Sequence, residues 1–282
     1  MGRVSSLIVG LLLASCGAIK PLPAGHPIAA PTPQTPTQTP PEGGPQGEPL
    51  PQLENTFAHD DRQFVTSTAY PWSAVGRLNT GCTATLIDAR LVVTAAHCVF
   101  DPDGRYLVHH FTFSPNMIRG QAAVSVPATY VWYGTRTPLR TAGNDYVGDW
   151  AILLLARDLG AFGSIPTRDV TPRAGDVVTL TGYSADADSG LTATAHVDCH
   201  IQVGTLGGQI THDCDMTRGA SGGPIWSYAW GETPTIVALN SSEQREGGEI
   251  SLKVGAYDGS HPNGAVPASQ FFGALKWLVD HY

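Results

Sequence analysis

The sequence predicts an all-β fold, because its apolar residues fall in many short segments separated by Gly, Pro, Asn and Asp. The clearest of these segments have the length of strands and are rich in β-branched residues. They cover residues 84–87, 91–94, 122–126, 151–155, 176–180 and 235–239. Strands this short and this numerous are typical of a sandwich or a pair of barrels.

Helical structure is predicted at only two places. Residues 95–98 fit a single helical turn after a strand, and a longer helix is expected at the carboxyl end after Pro267. An apolar face at helical spacing predicts this second helix and its packing on the core. The face is formed by Phe271, Leu275, Leu278 and Tyr282, with Phe272 and Val279 widening it.

Composition excludes two broad classes of function. The chain of 282 residues is 42% hydrophobic, which is too apolar for wholesale disorder. Its net charge is −8, from 16 Lys and Arg against 24 Asp and Glu, and it has no long basic run. A surface that binds nucleic acid is therefore not expected.

The prolines separate an amino-terminal tether from the folded part. Of the 22 prolines, 11 lie between Pro21 and Pro51, in a stretch with almost no bulky apolar side chains. Such a stretch buries too little surface to offset the entropy of ordering, so it is predicted to be a linker. The expected organisation is a signal peptide at 1–15, a tether at 16–53 and a folded domain at 54–282.

The odd cysteine count points to export and a lipid anchor. Arg3 precedes an apolar run at 7–14, which is typical of a signal peptide and is too short to span a bilayer. The following segment Leu-Ala-Ser-Cys-Gly resembles a bacterial lipobox, which implies cleavage before Cys16 and lipidation of that residue. An extended tether of about 31 residues then reaches on the order of 100 Å from the membrane.

Two other interpretations of the amino terminus stay open. The segment also fits an ordinary secretory signal cut elsewhere, in which case the protein is secreted and Cys16 is lost. The start Met-Gly-Arg-Val-Ser-Ser fits a loose myristoylation pattern, although the apolar run behind it favours export. Removing Cys16 leaves four cysteines, which export allows to form disulfides in three alternative pairings.

Three segments carry the residue types of nucleophilic catalysis. They are Thr-Ala-Ala-His97-Cys98, Gly-Asp149-Trp directly before an apolar strand, and Gly219-Ala-Ser221-Gly-Gly-Pro. A serine hydroxyl needs a base within hydrogen-bond reach, and an imidazole held by a carboxylate supplies one. Asp145, four residues before Asp149, is an alternative carboxylate.

In this order and context, the chain resembles the trypsin-fold serine proteases of the chymotrypsin clan. The segment Asp60-Asp-Arg62, followed by Val65-Thr and Tyr70-Pro, is similar to the mature amino terminus of bacterial glutamyl endopeptidases. The resemblance covers about residues 58–282. It implies two six-stranded antiparallel β-barrels, a cleft between them and a carboxy-terminal helix.

The resemblance also implies the site and its chemistry. Ser221 is the expected nucleophile, His97 the base and Asp149 its partner, and the N–H groups of Gly219 and Ser221 are the expected oxyanion hole. It favours the local disulfides Cys82–Cys98 and Cys199–Cys214. No cofactor and no metal are expected, and the histidines at 109, 110, 196, 200 and 212 are predicted to lie at the surface or in loops.

Substrate preference stays open, because the pocket residues give conflicting indications. Asp215 lies six residues before Ser221, where trypsin places the acid that binds Arg or Lys, but Thr217 stands in place of the usual loop cysteine. Asn240 occupies the position at which glutamate-specific members carry a histidine. Ala220 replaces the aspartate that pairs with the cut amino terminus in trypsin-like zymogens. Basic, acidic and small or apolar residues are all retained as preferences.

The sequence thus predicts a monomeric serine endopeptidase of the bacterial cell envelope, facing outside the cytoplasm. Its expected partners are protein or peptide substrates and, through Cys16, the membrane. The alternative is a protease-like binding protein on the cell surface that has the fold but not the activity. Intact motifs for His97, Asp149 and Ser221 favour the enzyme.

Overall fold

A computed structural model of the chain describes residues 25–28, 56–57, 59–137, 146–206, 208–243 and 262–282. Within these ranges the fold is almost entirely antiparallel β-structure. The strands are β1 (His26–Pro27), β2 (Gln63–Phe64), β3 (Val75–Leu78), β4 (Thr83–Leu86), β5 (Leu91–Thr94), β6 (Thr112–Pro115), β7 (Val126–Tyr133), β8 (Ala151–Leu155), β9 (Val177–Gly182), β10 (Thr194–Leu206), β11 (Gln209–His212), β12 (Pro224–Ser227), β13 (Thr235–Glu243) and β14 (Asn263–Pro267).

These strands form two closed barrels, which confirms the predicted fold class. The first barrel has the order β7-β6-β3-β4-β5-β8 and closes where β8 pairs back with β7. The second has the order β11-β14-β13-β12-β9-β10 and closes where β10 pairs back with β11. A short extra strand joins each barrel, β1 on β7 and β2 on β10. Closure leaves few unpaired sheet edges, which is how short strands of this kind are stabilised.

Most of the strand predictions match, with shifts at their ends. β5 and β8 begin and end at the predicted residues, and both are buried along their whole length. The segment at 122–126 is different, because β7 begins only at its last residue, Val126. Its short side chains, Ala-Ala-Val-Ser, alternate between half-buried and exposed positions in an irregular approach to the barrel.

The predicted carboxy-terminal helix is present as α1 (Phe272–Val279), after a short 3-10 turn at Ala268–Gln270. Phe271, Leu275 and Leu278 are buried as expected. Tyr282 and Val279 are largely exposed, so the apolar face is narrower than predicted. The helix ends before Tyr282, whose exposed ring instead lies 5.4 Å from the ring of the buried Trp132.

One apolar cluster continues from the first barrel into the second and holds the two together. It joins strand residues of the first barrel with Trp226, Leu239 and Val266 of the second, and with Phe271 beside the helix. Buried apolar surface of this kind is close-packed, so this shared cluster packs the two barrels against each other.

Four described residues of the predicted tether, 25–28, lie against the first barrel. His26 and Pro27 pair with β7, and the N–H of Ile28 donates to the carbonyl of Thr129 at 2.8 Å. Ile28 is buried, and Gly25 lies so close to Trp132 that a Cβ would be 2.3 Å from its ring. Ile28 thus packs this short segment onto the first barrel, although the average composition of the surrounding proline-rich stretch gives no sign of it.

Several sequence predictions lie outside the described residues. They are the signal peptide, Cys16, the remainder of the tether and Asp145. Among the residues that the structure describes, no helix has the length and apolar character needed to cross a bilayer.

Candidate active site

The pairing of β5 with β8 brings His97 and Asp149 together. Thr94 at the end of β5 lies opposite Ala151 at the start of β8. The turn that holds His97 follows Thr94, and Asp149 lies two residues before β8, so both come to the same edge of the barrel. His97 Nδ1 is 2.7 Å from Asp149 Oδ2, and the backbone N–H of His97 donates to Oδ1 at 2.9 Å.

Asp149 is held as a carboxylate in a buried position. Its side chain is 2% exposed, against 18% for that of His97. Burial acts to raise the pKa of Asp149, but the charge of His97 and hydrogen bonds from His97 and Ser241 outweigh it and lower the pKa. Because a carboxylate only accepts hydrogen bonds, Nδ1 of His97 carries the proton. In the neutral ring, Nε2 then carries the lone pair that a general base uses.

Ser241, which the sequence analysis did not single out, is part of the same group. It lies in β13 directly after Asn240, and its hydroxyl donates to Asp149 Oδ2. Gln209 Nε2 in turn donates to Ser241 Oγ at 2.7 Å. No local pattern marks Ser241, because a serine within a strand is common. Only the approach of β13 to the first barrel brings it to Asp149.

The loop that carries Ser221 is pressed against the first barrel. The N–H of Thr83 donates to the Ser221 carbonyl at 3.0 Å, and Cys98 Sγ lies 3.6 Å from that carbonyl oxygen. Gly222 makes this approach feasible, because its φ is +77° and a Cβ would lie 2.2 Å from Thr94 Oγ1. The nucleophile predicted at Ser221 therefore lies beside the turn that contains His97.

Gly219 has a backbone conformation that other residues rarely adopt. Its φ is +99°, and a Cβ would lie 2.4 Å from the carbonyl oxygen of Tyr183. Its own carbonyl accepts a hydrogen bond from Thr83 Oγ1 at 2.9 Å. Within the described part of the chain, the N–H groups of Gly219 and Ser221 have no hydrogen-bond partner. Two unpaired donors in one short loop are what an oxyanion site needs.

The structure contains both of the disulfides that the resemblance implies, Cys82–Cys98 and Cys199–Cys214. The first joins β4 to the turn of His97, and Thr83 directly follows Cys82. Because Thr83 holds the carbonyls of both Gly219 and Ser221, this disulfide connects the histidine turn to the residue that positions the serine loop.

Asp215, one of the candidate pocket residues, is buried among backbone donors. It is 2% exposed, and its two oxygens accept the backbone N–H groups of Phe57 at 2.7 Å and Asp61 at 2.9 Å. His196 Nδ1 lies 3.2 Å from Asp215 Oδ2 and also 2.8 Å from the Asp215 N–H. Asp215 thus anchors the segment at 57–61 to the second barrel.

The Asp215 carboxylate changes the pKa of His196. Burial acts to lower the pKa of His196, but the hydrogen bond and charge of Asp215 outweigh it and raise the pKa. When protonated, His196 pairs with the carboxylate. When neutral, its Nδ1 accepts the Asp215 N–H.

His212 and Asn240 form a buried polar pair, which corrects the prediction that His212 lies at the surface. His212 and Asn240 are fully buried, and His212 Nε2 is 3.2 Å from Asn240 Oδ1. Asn240 Nδ2 donates to the carbonyl of Ala220 at 3.1 Å, so both ends of the Asn240 amide are engaged. Burial lowers the pKa of His212 to about 4, so the ring is neutral at pH 7.

Thr217 contacts a second loop rather than standing alone in the pocket. Its hydroxyl donates to Asp186 Oδ1, and Asp186 also pairs with Arg62 through Oδ2 at 2.6 Å. Burial acts to lower the pKa of the Arg62 guanidinium, but the hydrogen bonds and charges of Asp60 and Asp186 outweigh it and raise that pKa. Sequence patterns gave Asp186 no role.

Three groups of described residues have enough ligand-type side chains to suggest a metal. In two of them the cysteines form the disulfides described above, so they offer no thiolate. The third is Asp61, His196 and Asp215, where the Asp215 oxygens already accept two backbone N–H groups. These contacts account for the group as a hydrogen-bond network.

Comparisons with known proteins agree with this architecture. A profile for the trypsin-like peptidase domain matches residues 82–233, more than half of the chain. The glutamyl endopeptidase of Bacillus licheniformis is 28% identical over 228 residues, which cover 75% of this chain and 64% of that protein. Serine protease 23 of Bos taurus is 28% identical over 186 residues, which cover 57% of this chain and 47% of that protein.

A solved structure of a Glu endopeptidase in complex with MPD shares the fold. It superposes with a TM-score of 0.64 at 18% identity, over 80% of this chain and all of that one. The chain spans less than two thirds of the length of both curated relatives that it matches. The matched profile, the two barrels and the His-Asp-Ser order lead to one conclusion: the chain belongs to the trypsin-like peptidase family.

Proposed function

We propose that the protein is a serine endopeptidase that hydrolyses peptide bonds outside the cytoplasm through an acyl-enzyme. The observation that carries this proposal is the double contact of the buried Asp149 with His97, through the imidazole Nδ1 and the backbone N–H. A carboxylate in this position holds the imidazole in the tautomer that a general base needs.

In the proposed mechanism, Ser221 Oγ attacks the carbonyl carbon of the scissile bond while His97 Nε2 takes its proton. The negative charge moves to the carbonyl oxygen, where the N–H groups of Gly219 and Ser221 stabilise it. The C–N bond then breaks as His97 gives its proton to the leaving amine. Water, deprotonated by His97, hydrolyses the acyl-enzyme and regenerates Ser221.

Labelling with a fluorophosphonate probe, together with peptide hydrolysis, tests this function. The wild-type protein is expected to label, and Ser221→Ala is expected to abolish labelling and to reduce turnover by about 10⁶. Ser227→Ala is a matched control, since Ser227 lies at the end of β12 and its hydroxyl bonds the Val177 carbonyl. A folded wild-type protein that neither labels nor cleaves peptides would favour the binding-protein alternative.

We further propose that the enzyme prefers a neutral residue before the scissile bond. Asp215 is occupied by two backbone N–H groups, which leaves it poorly placed to pair with Arg or Lys. Asn240 stands where a glutamate-specific relative would carry a histidine, and its amide is engaged by His212 and Ala220. Digestion of a peptide library tests this preference, and a dominant preference for either charge would contradict it.

The location is also a proposal. Lipidation of Cys16 would anchor the chain to the membrane, and several acyl chains make such attachment lasting. Because β1 is part of the first barrel, only residues 17–24 would separate Cys16 from Gly25. That length reaches about 30 Å, far less than the full tether allows. Mass spectrometry of the mature amino terminus tests the anchor, and a first residue without acyl mass would exclude it.

A further inference from the structure

Arg62 is a buried charge held between two carboxylates. Its side chain is 4% exposed, although it lies in the segment before the first barrel. Nε and Nη2 contact Asp60 at 2.8 Å each, while Nη1 and Nη2 contact Asp186 at 3.0 and 2.6 Å. Paired contacts on both sides use the planar fork of the guanidinium, which a lysine cannot reproduce.

Asp186 passes this constraint on to the loop that leads to Ser221. Its Oδ1 accepts the hydroxyl of Thr217, and the N–H of the neighbouring Ala185 donates to the carbonyl of Arg218 at 2.7 Å. Ala185 and Asp186 therefore hold Arg218 and Thr217, the residues just before Gly219. The loop at 183–187 is fixed at its far side by Arg62.

The hydrogen bond to the Arg218 carbonyl determines where the next N–H points. Among the described residues the only cis peptide bond is Tyr70–Pro71, so the bond between Arg218 and Gly219 is trans. In a trans peptide the C=O and the N–H point in opposite directions. The Gly219 N–H is thus directed away from Ala185, and a flip of this peptide would aim a carbonyl at the oxyanion.

We propose that Arg62 is a positioning residue that holds the peptide between Arg218 and Gly219 in the orientation that forms the oxyanion hole. This inference rests on the proposed protease function. Ala220 offers no carboxylate to a cut amino terminus, so the ion pairs of Arg62 fix the loop from inside the chain. The catalytic groups that contact substrate remain Ser221, His97 and the two N–H donors.

The test compares Arg62→Gln and Arg62→Lys with Arg105→Gln in the full chain. Arg105 is a matched control, because it is 79% exposed and lies 3.6 Å from Asp103. Loss of one oxyanion donor typically lowers kcat by about 10²–10³. We expect Arg62→Gln to lower kcat by about 10- to 100-fold, with KM changed by less than about 3-fold. Arg62→Lys is expected to restore little of the lost kcat, because lysine keeps the positive charge but lacks the planar guanidinium that makes the paired contacts.

Two further readouts separate positioning from loss of fold. Active-site titration gives kcat per competent molecule, and inhibition by a peptide boronic acid reports binding of a tetrahedral adduct. Boronate affinity is expected to fall by the same factor as kcat, while a product-like peptide binds as before. If Arg62→Gln does not fold, Thr217→Val is used instead, because it removes only the hydrogen bond to Asp186. It is expected to lower kcat and boronate affinity together, by a smaller factor.

The outcomes are distinguishable. Unchanged kcat per competent molecule in Arg62→Gln or Thr217→Val would overturn the positioning role while leaving the protease function intact. Equal losses of boronate and product affinity would also overturn it, because they would indicate a damaged pocket. A wild-type protein that neither labels nor turns over would overturn both the function and this inference.

Discussion

His212 provides a quantitative test of the buried polar pair in the second barrel. The ring is fully buried, its Nδ1 has no hydrogen-bond partner among the described residues, and burial lowers its pKa to about 4. In the unfolded chain the pKa of a histidine is about 6.5. The folded protein therefore binds a proton less readily than the unfolded chain, and acid favours unfolding.

The sign and the pH window follow from these two pKa values. The contribution of His212 to stability is fully present above pH 6.5 and is lost as the pH falls towards 4. Linkage gives a loss of about 2 kcal/mol at pH 5 and about 3 kcal/mol at pH 4, relative to pH 8. His196 has a raised pKa, so its contribution is present below pH 6.5 and is lost at higher pH.

The assay is urea unfolding of the wild type and His212→Gln at pH 8, 6.5, 5 and 4, with disulfides intact. The difference at pH 8 measures the packing cost of the substitution. That difference is expected to shrink by about 2 kcal/mol at pH 5, because only the wild type carries the titrating ring. His196 is present in both proteins and largely cancels. Parallel stability curves from pH 8 to 4 would refute the reasoning.

Three other substitutions test the site. Ser241→Ala removes a donor to the buried Asp149 carboxylate, so kcat/KM is expected to fall about 10-fold and the acid limb of its pH profile to move to higher pH; an unchanged limb would contradict this role. Gly219→Ala forces a Cβ against the Tyr183 carbonyl at positive φ, and turnover is expected to fall by at least about 100-fold. Its control is Gly273→Ala in α1, where nothing lies within 4 Å of the added Cβ, and activity should be retained. Asp215→Asn weakens the acceptor for the Phe57 and Asp61 N–H groups, so limited proteolysis before residue 62 should accelerate. A change confined to the hydrolysis of substrates after Arg or Lys would mean that Asp215 binds substrate instead.

The strand predictions were confirmed where the information is local. β5 and β8 are short, mostly apolar runs with a charged or hydroxyl residue at or within two positions of each end, so their extent can be read from the sequence. The ends of these two strands determine where His97 and Asp149 meet. Glycines directly around Ser221 similarly mark a loop with unusual backbone angles. Such features depend on neighbours within a few residues.

Contacts between distant segments could not be predicted from the sequence. Asp215 had the spacing of a pocket acid, yet it binds the N–H of Phe57 from 158 residues away. His212 had no apolar context to mark it as buried, and Ile28 lay within a stretch whose average composition predicts a linker. Spacing and composition carry no information about which remote backbone meets a side chain.

The sequence by itself determined the family, the order of the candidate catalytic residues and the all-β character, because these follow from short patterns and periodicity. Only the tertiary structure decided which carboxylate faces which partner. Asp149 meets His97 and Ser241, Asp215 holds the amino-terminal segment, and Asp186 joins Arg62 to Thr217. The physical reason is that a buried carboxylate must be satisfied by whatever donors the closed barrels bring to it, and barrel closure is a long-range property of the chain.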